Sequence, residues 1–516
     1  MAKAQSSTKK GLKNSIYSFL GVLTTMALGI LIPRVVLVNY GSETNGLTNS
    51  INQVVAYLSL LEAGIATTAM QALYAPMALK DKDQINSVMA SYNKSYRQIG
   101  TIYFVILLLL SAVYPFFIFR TTQSFSYIEV FLCVFFSGFG NVIIFFFHGK
   151  YRTLINADGK GYLLSNVQSI TTVLISLSKI FLMSLGLNIV FIIVNTFAFN
   201  LIQAVYIWHL IRKDYRWVNL KVEPSKEALS KKNYVFIHQL AWMIFQNTDL
   251  VLITVFTDLK VASIYAIYKL VVNSLQGILN IPLDAFNFAL GQEFNLSLKK
   301  YTKKIDCIEL YYSTLIFSMF SVAYCLYDDF IFMYTSGVKD TVYQDAFLPL
   351  LFVVVELLIF ARKPMSNTIT FAGKFKETLA PTIIEAVINL VVSIVGCYYL
   401  GIYGVLIGTV VALTYRLIDI IVYTNKKVLR RRAKKTILIY VINFLLFSLV
   451  VMFDKIIPIN ARSIPRFLCF GVVLSVLFFA TYFVVNSVAF KAERKLMVDV
   501  AKKVFRKLKK RKATEK

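Results

Sequence analysis

Charge is scarce in this chain of 516 residues: 16% are charged and 57% hydrophobic. A soluble chain carries about a quarter charged and about half apolar residues, so an ordinary soluble fold is excluded. Acid is scarcer still, with 27 Asp and Glu against 55 Lys and Arg and a formal net charge of +28. Cysteine is rare. Cys133, Cys307, Cys325, Cys397 and Cys469 are scattered, with no C-x-x-C and no paired spacing, which removes a disulfide framework and a thiolate metal site. His148, His209 and His238 are equally dispersed. No metal site and no catalytic constellation is expected. There is no G-x-x-x-x-G-K-[ST] loop, so an ATP site of that type is excluded. No polar stretch is long enough to bury a core of its own.

What the chain has is long apolar runs. Spans are expected at 16–38, 48–75, 98–119, 127–149, 162–185, 189–211, 235–256, 261–289, 305–334, 347–372, 379–399, 403–424, 436–453 and 467–488. That makes about fourteen, each able to cross a hydrocarbon core of about 30 Å. The first run follows Lys9, Lys10 and Lys13, as in a signal peptide. It is too long for one and lacks an A-x-A site, so it reads as a retained first span. The expected fold class is an all-α polytopic membrane protein.

The basic residues sort by side. The N-terminal tail and the even-numbered connections hold 43 Lys and Arg, and the opposite connections hold six: Arg120, Lys260, Lys339, Lys455, Arg462 and Arg466. This bias predicts cytoplasmic termini and attraction to anionic inner-leaflet lipid, with no nucleic-acid partner. The expected external connections are short, the longest being 335–346 and 454–466. A polysaccharide polymerase, which usually carries a large external catalytic loop, is disfavoured, and the chain is not expected to be an enzyme.

Hydropathy repeats with a period of about 213 to 220 residues, which returns the chain to the same side after six spans and marks parallel repeats. Asn45-x-x-x-Asn49-Ser50-x-Asn52 echoes as Lys269-x-x-x-Asn273-Ser274-x-Gln276. The organisation expected is a basic tail (1–15), a six-helix lobe (16–211), a linker (212–234) and a second six-helix lobe (235–424). Two further helices (425–488) and a basic amphipathic cytoplasmic tail (489–516) follow. The tail's Leu496, Val500, Val504 and Leu508 recur every fourth residue.

The stretch 265–287 carries a polar stripe on an otherwise apolar helix. Lys269, Asn273, Gln276, Asn280 and Asn287 fall on one face at about 100° per residue, with Asp284 at its edge. Such a stripe suits the wall of a watery cavity. Each charge inside a span costs about 2.5–3.5 kcal/mol at the helix centre, so each needs a reason. Arg34 after Pro33 can snorkel to the external interface. Glu62 lies in LLEAG and Asp249 in QNTDLVLIT. Glu356 and Lys363 share a helix face about 10 Å apart, and Arg362 and Lys363 precede Pro364, which should kink the helix or loosen its ladder. Arg416 and Asp419, at i and i+3, can neutralise each other. Lys179 is a candidate partner for Glu62 or Glu385.

Cations interleaved with amides suit phosphate oxygens and sugar hydroxyls. A carrier of hydrophobic cations would want acidic and aromatic walls instead. Arg34, Lys269, Arg362 and Lys363 are the candidate anion contacts, and Asn273, Gln276 and Asn280 the candidate sugar path. Glu62, Asp249 and Glu356 are candidates for a coupling ion or for gating salt bridges. No cofactor is expected beyond a coupling proton or Na+.

Four segments carry a family resemblance: RVVLVNYGSETNGLTNSINQVVAYLSLLEAGI (34–65), QALYAPM (71–77), KYRTLINADGKGYLLSNVQS (150–169) and NTDLVLITVFTDLKVASIYAIYKLV (247–271). They resemble the Wzx-like oligosaccharide-lipid flippases of bacterial polysaccharide pathways, within the multidrug/oligosaccharidyl-lipid/polysaccharide exporter superfamily. The resemblance covers roughly 16–424. It implies two six-helix lobes around a central cationic cavity, alternating between inward-open and outward-open states in the bacterial cytoplasmic membrane. The implied substrate is an undecaprenyl-diphosphate oligosaccharide for capsule or exopolysaccharide, whose diphosphate the four cations would hold. Ion-gradient coupling and contact with other polysaccharide-assembly proteins are also implied. An ion-coupled multidrug exporter of the same fold, or a flippase for a peptidoglycan or teichoic-acid precursor, are the alternatives.

Overall fold

The computed structural model describes residues 2–62, 65–79, 81–119, 124–158, 160–225, 247–374, 376–456, 459–499 and 502. The start of the expected seventh span (235–246), part of the linker (226–234) and most of the basic tail (500–501 and 503–516) lie outside the described residues. So do the side chains of Asp284 and Asn287.

Every regular element among the described residues is helical. In a hydrocarbon medium each N–H and C=O must find its partner within the segment, which a helix achieves and an open strand does not. The helices are α1 (Ala2–Leu58), α2 (Ile65–Leu79), α3 (Lys82–Ile118), α4 (Tyr127–Ile143), α5 (Gly149–Ala157), α6 (Gly161–Ser184) and α7 (Ile189–Asp214). They continue with α8 (Asn247–Phe256), α9 (Leu259–Leu296), α10 (Leu298–Tyr334), α11 (Leu348–Phe371) and α12 (Leu379–Leu400). The last are α13 (Ile402–Tyr423), α14 (Lys434–Ile456), α15 (Ile464–Ala489) and α16 (491–499). A π turn, Ile144–His148, joins α4 to α5. Ten helices among the described residues are long and apolar enough to cross a membrane. From α9 to α15 the expected spans and the observed helices agree to within a few residues, apart from the ends that run on past the apolar core.

The chain forms two compact units. One comprises Met1–Ala266 with Gly337–Val342, and the other Ile267–Ser336 with Tyr343–Lys516, so the division falls inside α9. In the first unit α3 packs on α4, α4 on α7, and α6 on both α7 and α1. In the second, α12 pairs with α13, α13 with α11, and α10 with α11, α14 and α15. The α12–α13 contact depends on missing side chains. A Cβ on Gly404 would run into the backbone of Gly396, and one on Gly396 would come within 2.6 Å of the Gly404 carbonyl.

The connection expected between the first two spans, near residues 39–47, falls where two helices meet: α1 breaks at Gly41, which sits in the left-handed region (φ 80°). Asp340 stabilises the restart, accepting from the Ser42 N–H and from its hydroxyl, both at 2.7 Å. The expected second span is not one helix, since a 3-10 turn at Ser59–Glu62 separates α1 from α2. Pro364 lies inside α11, which is assigned helical from Leu348 to Phe371.

Candidate functional site

The polar stripe of α9 meets α11 in two rungs within the second unit. The Gln276 amide donates to both carboxylate oxygens of Glu356, at 2.7 and 2.9 Å. One helical turn on, the Asn280 carbonyl accepts from the Lys363 ammonium at 2.5 Å. Lys363 also lies over the Phe360 ring, 3.6 Å from its centroid, a cation–π contact. Gln276 and Asn280 are one turn apart on α9, and Glu356 and Lys363 two turns apart on α11, so each pair shares a face. Glu356 is buried, and Lys269 lies within electrostatic reach of it, as does Lys363. Two ammonium groups and one carboxylate leave an excess of positive charge if the carboxylate is ionised. Asn273 is exposed on the same helix.

Arg362 faces a different cluster. It forms an ion pair with Glu385, whose second oxygen pairs with Arg416 at 3.3 Å. Arg416 also pairs with Asp419 at 2.6 Å and donates to the Thr382 hydroxyl at 2.9 Å. Two guanidinium groups and two carboxylates make this cluster neutral. The Arg362–Lys363 dipeptide therefore splits, with Lys363 on the stripe and Arg362 in the ion-pair network.

The remaining candidates lie in the first unit. Arg34 is half-buried on α1. Glu62 accepts from the Tyr96 hydroxyl, and Tyr96 packs edge-on against Tyr92, with ring centroids 4.5 Å apart. Asp249 is buried and accepts from the Tyr265 hydroxyl at 3.1 Å, while the neighbouring Thr248 bonds Tyr57 at 2.6 Å. Lys179 makes no ion pair with Glu62. It lines a cavity with Asn45, Asn49 and Asn52 of the motif that echoes the α9 stripe.

Sequence reasoning passed over a third charged cluster in the second unit. Asp306 pairs with Arg431 at 2.5 Å and with Lys435 at 2.7 Å, and Lys435 also pairs with Glu493. Glu309, fully buried one turn beyond Asp306, receives Thr436 at 3.2 Å and Tyr440 at 3.1 Å. The available signal was the D-x-x-E spacing at the start of an apolar run, opposite the basic stretch 425–435.

No family model matches the chain, and no curated protein matches it in sequence. Solved structures do. A lipid II flippase, MurJ, in an inward closed conformation superposes with a TM-score of 0.66 at 12% identity, over 93% of this chain and 100% of that one. An inward-facing multidrug resistance MATE family transporter of the MOP superfamily gives a TM-score of 0.53 at 15% identity, over 83% and 96%. A Vibrio cholerae MATE transporter, solved as a mutant, gives 0.52 at 14% identity, over 84% and 99%. At these identities the likeness is one of fold. The chain is a multi-pass membrane protein, and its fold is the one shared by this flippase and these MATE transporters.

Proposed function

We propose that the chain is a flippase that carries undecaprenyl-diphosphate-linked oligosaccharide repeat units from the inner to the outer leaflet of the bacterial cytoplasmic membrane, for capsule or exopolysaccharide assembly. The observation that carries this reading is the pair of rungs between α9 and α11, where Lys269 and Lys363 stand with Gln276 and Asn280 around one carboxylate. Ammonium groups attract diphosphate oxygens, and side-chain amides exchange hydrogen bonds with sugar hydroxyls. In this reading Lys269 and Lys363 are the primary diphosphate contacts. Arg362 joins them when phosphate replaces Glu385 as its partner, and Arg34 serves the substrate from the first unit.

Movement is by alternating access. Glu62, Asp249 and Glu356 carry a coupling proton or Na+, or make the contacts that close the path. Both termini are cytoplasmic, and the basic tail rests on anionic lipid beside other polysaccharide-assembly proteins.

A second reading, a flippase for a peptidoglycan precursor, is favoured by the likeness to MurJ, whose TM-score is the higher of those above. It uses the same chemistry, a saccharide on a lipid diphosphate. Complementation separates the two. Expression in strains lacking either their own polysaccharide flippase or their own lipid II flippase, with lipid-linked saccharide measured in each leaflet, is expected to rescue the first. Rescue of the second alone would transfer the assignment to the precursor.

A further inference from the structure

The first unit holds a cavity of about 210 Å3 that the reading above does not use. Asn45, Asn49 and Asn52 of α1, Ser137 of α4, Lys179 of α6 and Asn200 of α7 supply its principal polar groups, and none of its lining residues is Asp or Glu. Asn45 and Asn49 are spoken for: the Asn45 amide donates to Ser263 at 2.7 Å, and the Asn49 amide to the Asn45 carbonyl at 2.7 Å. Asn52, Ser137, Lys179 and Asn200 are not. Among the described residues none of these four side chains has a hydrogen-bond or ion-pair partner. Four polar side chains from four helices converge on one space with their bonding capacity unused.

An unpaired ammonium inside a span needs a reason. Lys179 sits five residues before the end of α6, about 7.5 Å along the axis, so its stem is long enough to snorkel outward. It borders the amide-lined cavity instead. One positive charge there matches one negative charge, and the amides and the hydroxyl match a ring of hydroxyl groups. The volume is below the ~300 Å3 typical of pockets for larger ligands, so it suits one sugar residue rather than a chain of them. A phosphate group would want more than a single cation.

We propose that this cavity binds one acidic monosaccharide residue, with its carboxylate on the Lys179 ammonium and its hydroxyls on Asn52, Ser137 and Asn200. The proposal rests on the reading that the chain handles a lipid-linked saccharide, and it gives that saccharide an acidic sugar.

The test is ligand-observed NMR on the full-length protein in nanodiscs, with glucuronate, glucose and inorganic phosphate as probes. Glucuronate is expected to bind at least tenfold more tightly than glucose. Lys179→Gln is expected to lose at least tenfold in glucuronate affinity, Lys179→Arg to restore most of it, and Lys299→Gln, at an exposed lysine of α10, to change it less than twofold. Equal binding of glucuronate and glucose by the wild-type protein overturns the proposal without any variant. So does undiminished glucuronate binding by a folded Lys179→Gln protein, or phosphate binding that this substitution weakens as much as it weakens glucuronate binding. Leaflet transport is a separate readout: a chain that binds glucuronate through Lys179 yet moves no lipid-linked saccharide fails the flippase reading and not this one.

Discussion

The Glu356 carboxylate spends both oxygens on a single amide, and that amide comes from a residue 80 positions earlier. Replacing Gln276 by Ala leaves a buried carboxylate two bonds short, a loss of about 1–3 kcal/mol. Gln276→Ala is therefore expected to melt earlier in detergent, and Gln276→Leu combined with Glu356→Leu to recover most of the difference. Unequal losses are expected in the neighbouring ion cluster. Arg416 serves Glu385, Asp419 and Thr382, whereas Arg362 serves a Glu385 that keeps its second partner. Breaking a buried pair on one side costs about 3–5 kcal/mol, so Arg416→Ala should fall in that range and Arg362→Ala below it, by thermal unfolding. Outside the spans, burial pushes the Asp158 carboxyl up, but a hydrogen bond from Tyr215 and the Lys160 ammonium outweigh it and hold it below its ordinary 3.8. A carboxyl lowered on folding stabilises fully above its unfolded value and loses that contribution as pH falls through the folded one. A melting series from pH 5 to pH 3 should therefore show Asp158→Asn converging on the wild-type protein at the acid end.

At the scale of elements, two features depend on glycine. The α12–α13 contact has no room for a Cβ at Gly404, so Gly404→Ala should cost at least the ~1–3 kcal/mol of ordinary overpacking. Gly140→Ala on α4 is the control: its nearest atom would be 3.8 Å away, and its melting temperature should hold or rise. The break in α1 needs Gly41 for its φ and Asp340 for its restart, a pairing across 298 residues. That separation explains what the sequence conceals. The spans were legible because lipid demands apolar runs of a set length, and Arg416–Asp419 because its partners are one turn apart. The break at Gly41 falls in the polar gap that the sequence leaves between its first two apolar runs, but its partner Asp340 could not be read there. Arg362 and Lys363 read as one double cation, but neighbouring residues on a helix point about 100° apart, and their partners Glu385 and Asn280 lie on different helices. Glu62 reads as a lone mid-membrane charge because its partner, Tyr96, lies in a polar run that the hydropathy leaves outside the spans.

At the scale of the whole molecule, the fold is shared by transporters whose names cover both lipid II and multidrug resistance, so chemistry has to select between them. Here the selection rests on Lys269 and Lys363 beside the amides of α9. A cation exporter would gain from removing them, and a carrier of diphosphate would lose. The most direct measurement is leaflet accessibility of an undecaprenyl-diphosphate oligosaccharide in proteoliposomes holding the wild-type chain or the Lys269→Ala, Lys363→Ala double variant. The account predicts transfer by the wild-type chain and at least a tenfold slower transfer by a double variant that is folded and inserted to the same level. Equal rates from the two, or a wild-type chain that moves cationic dye and no lipid-linked saccharide, would contradict it.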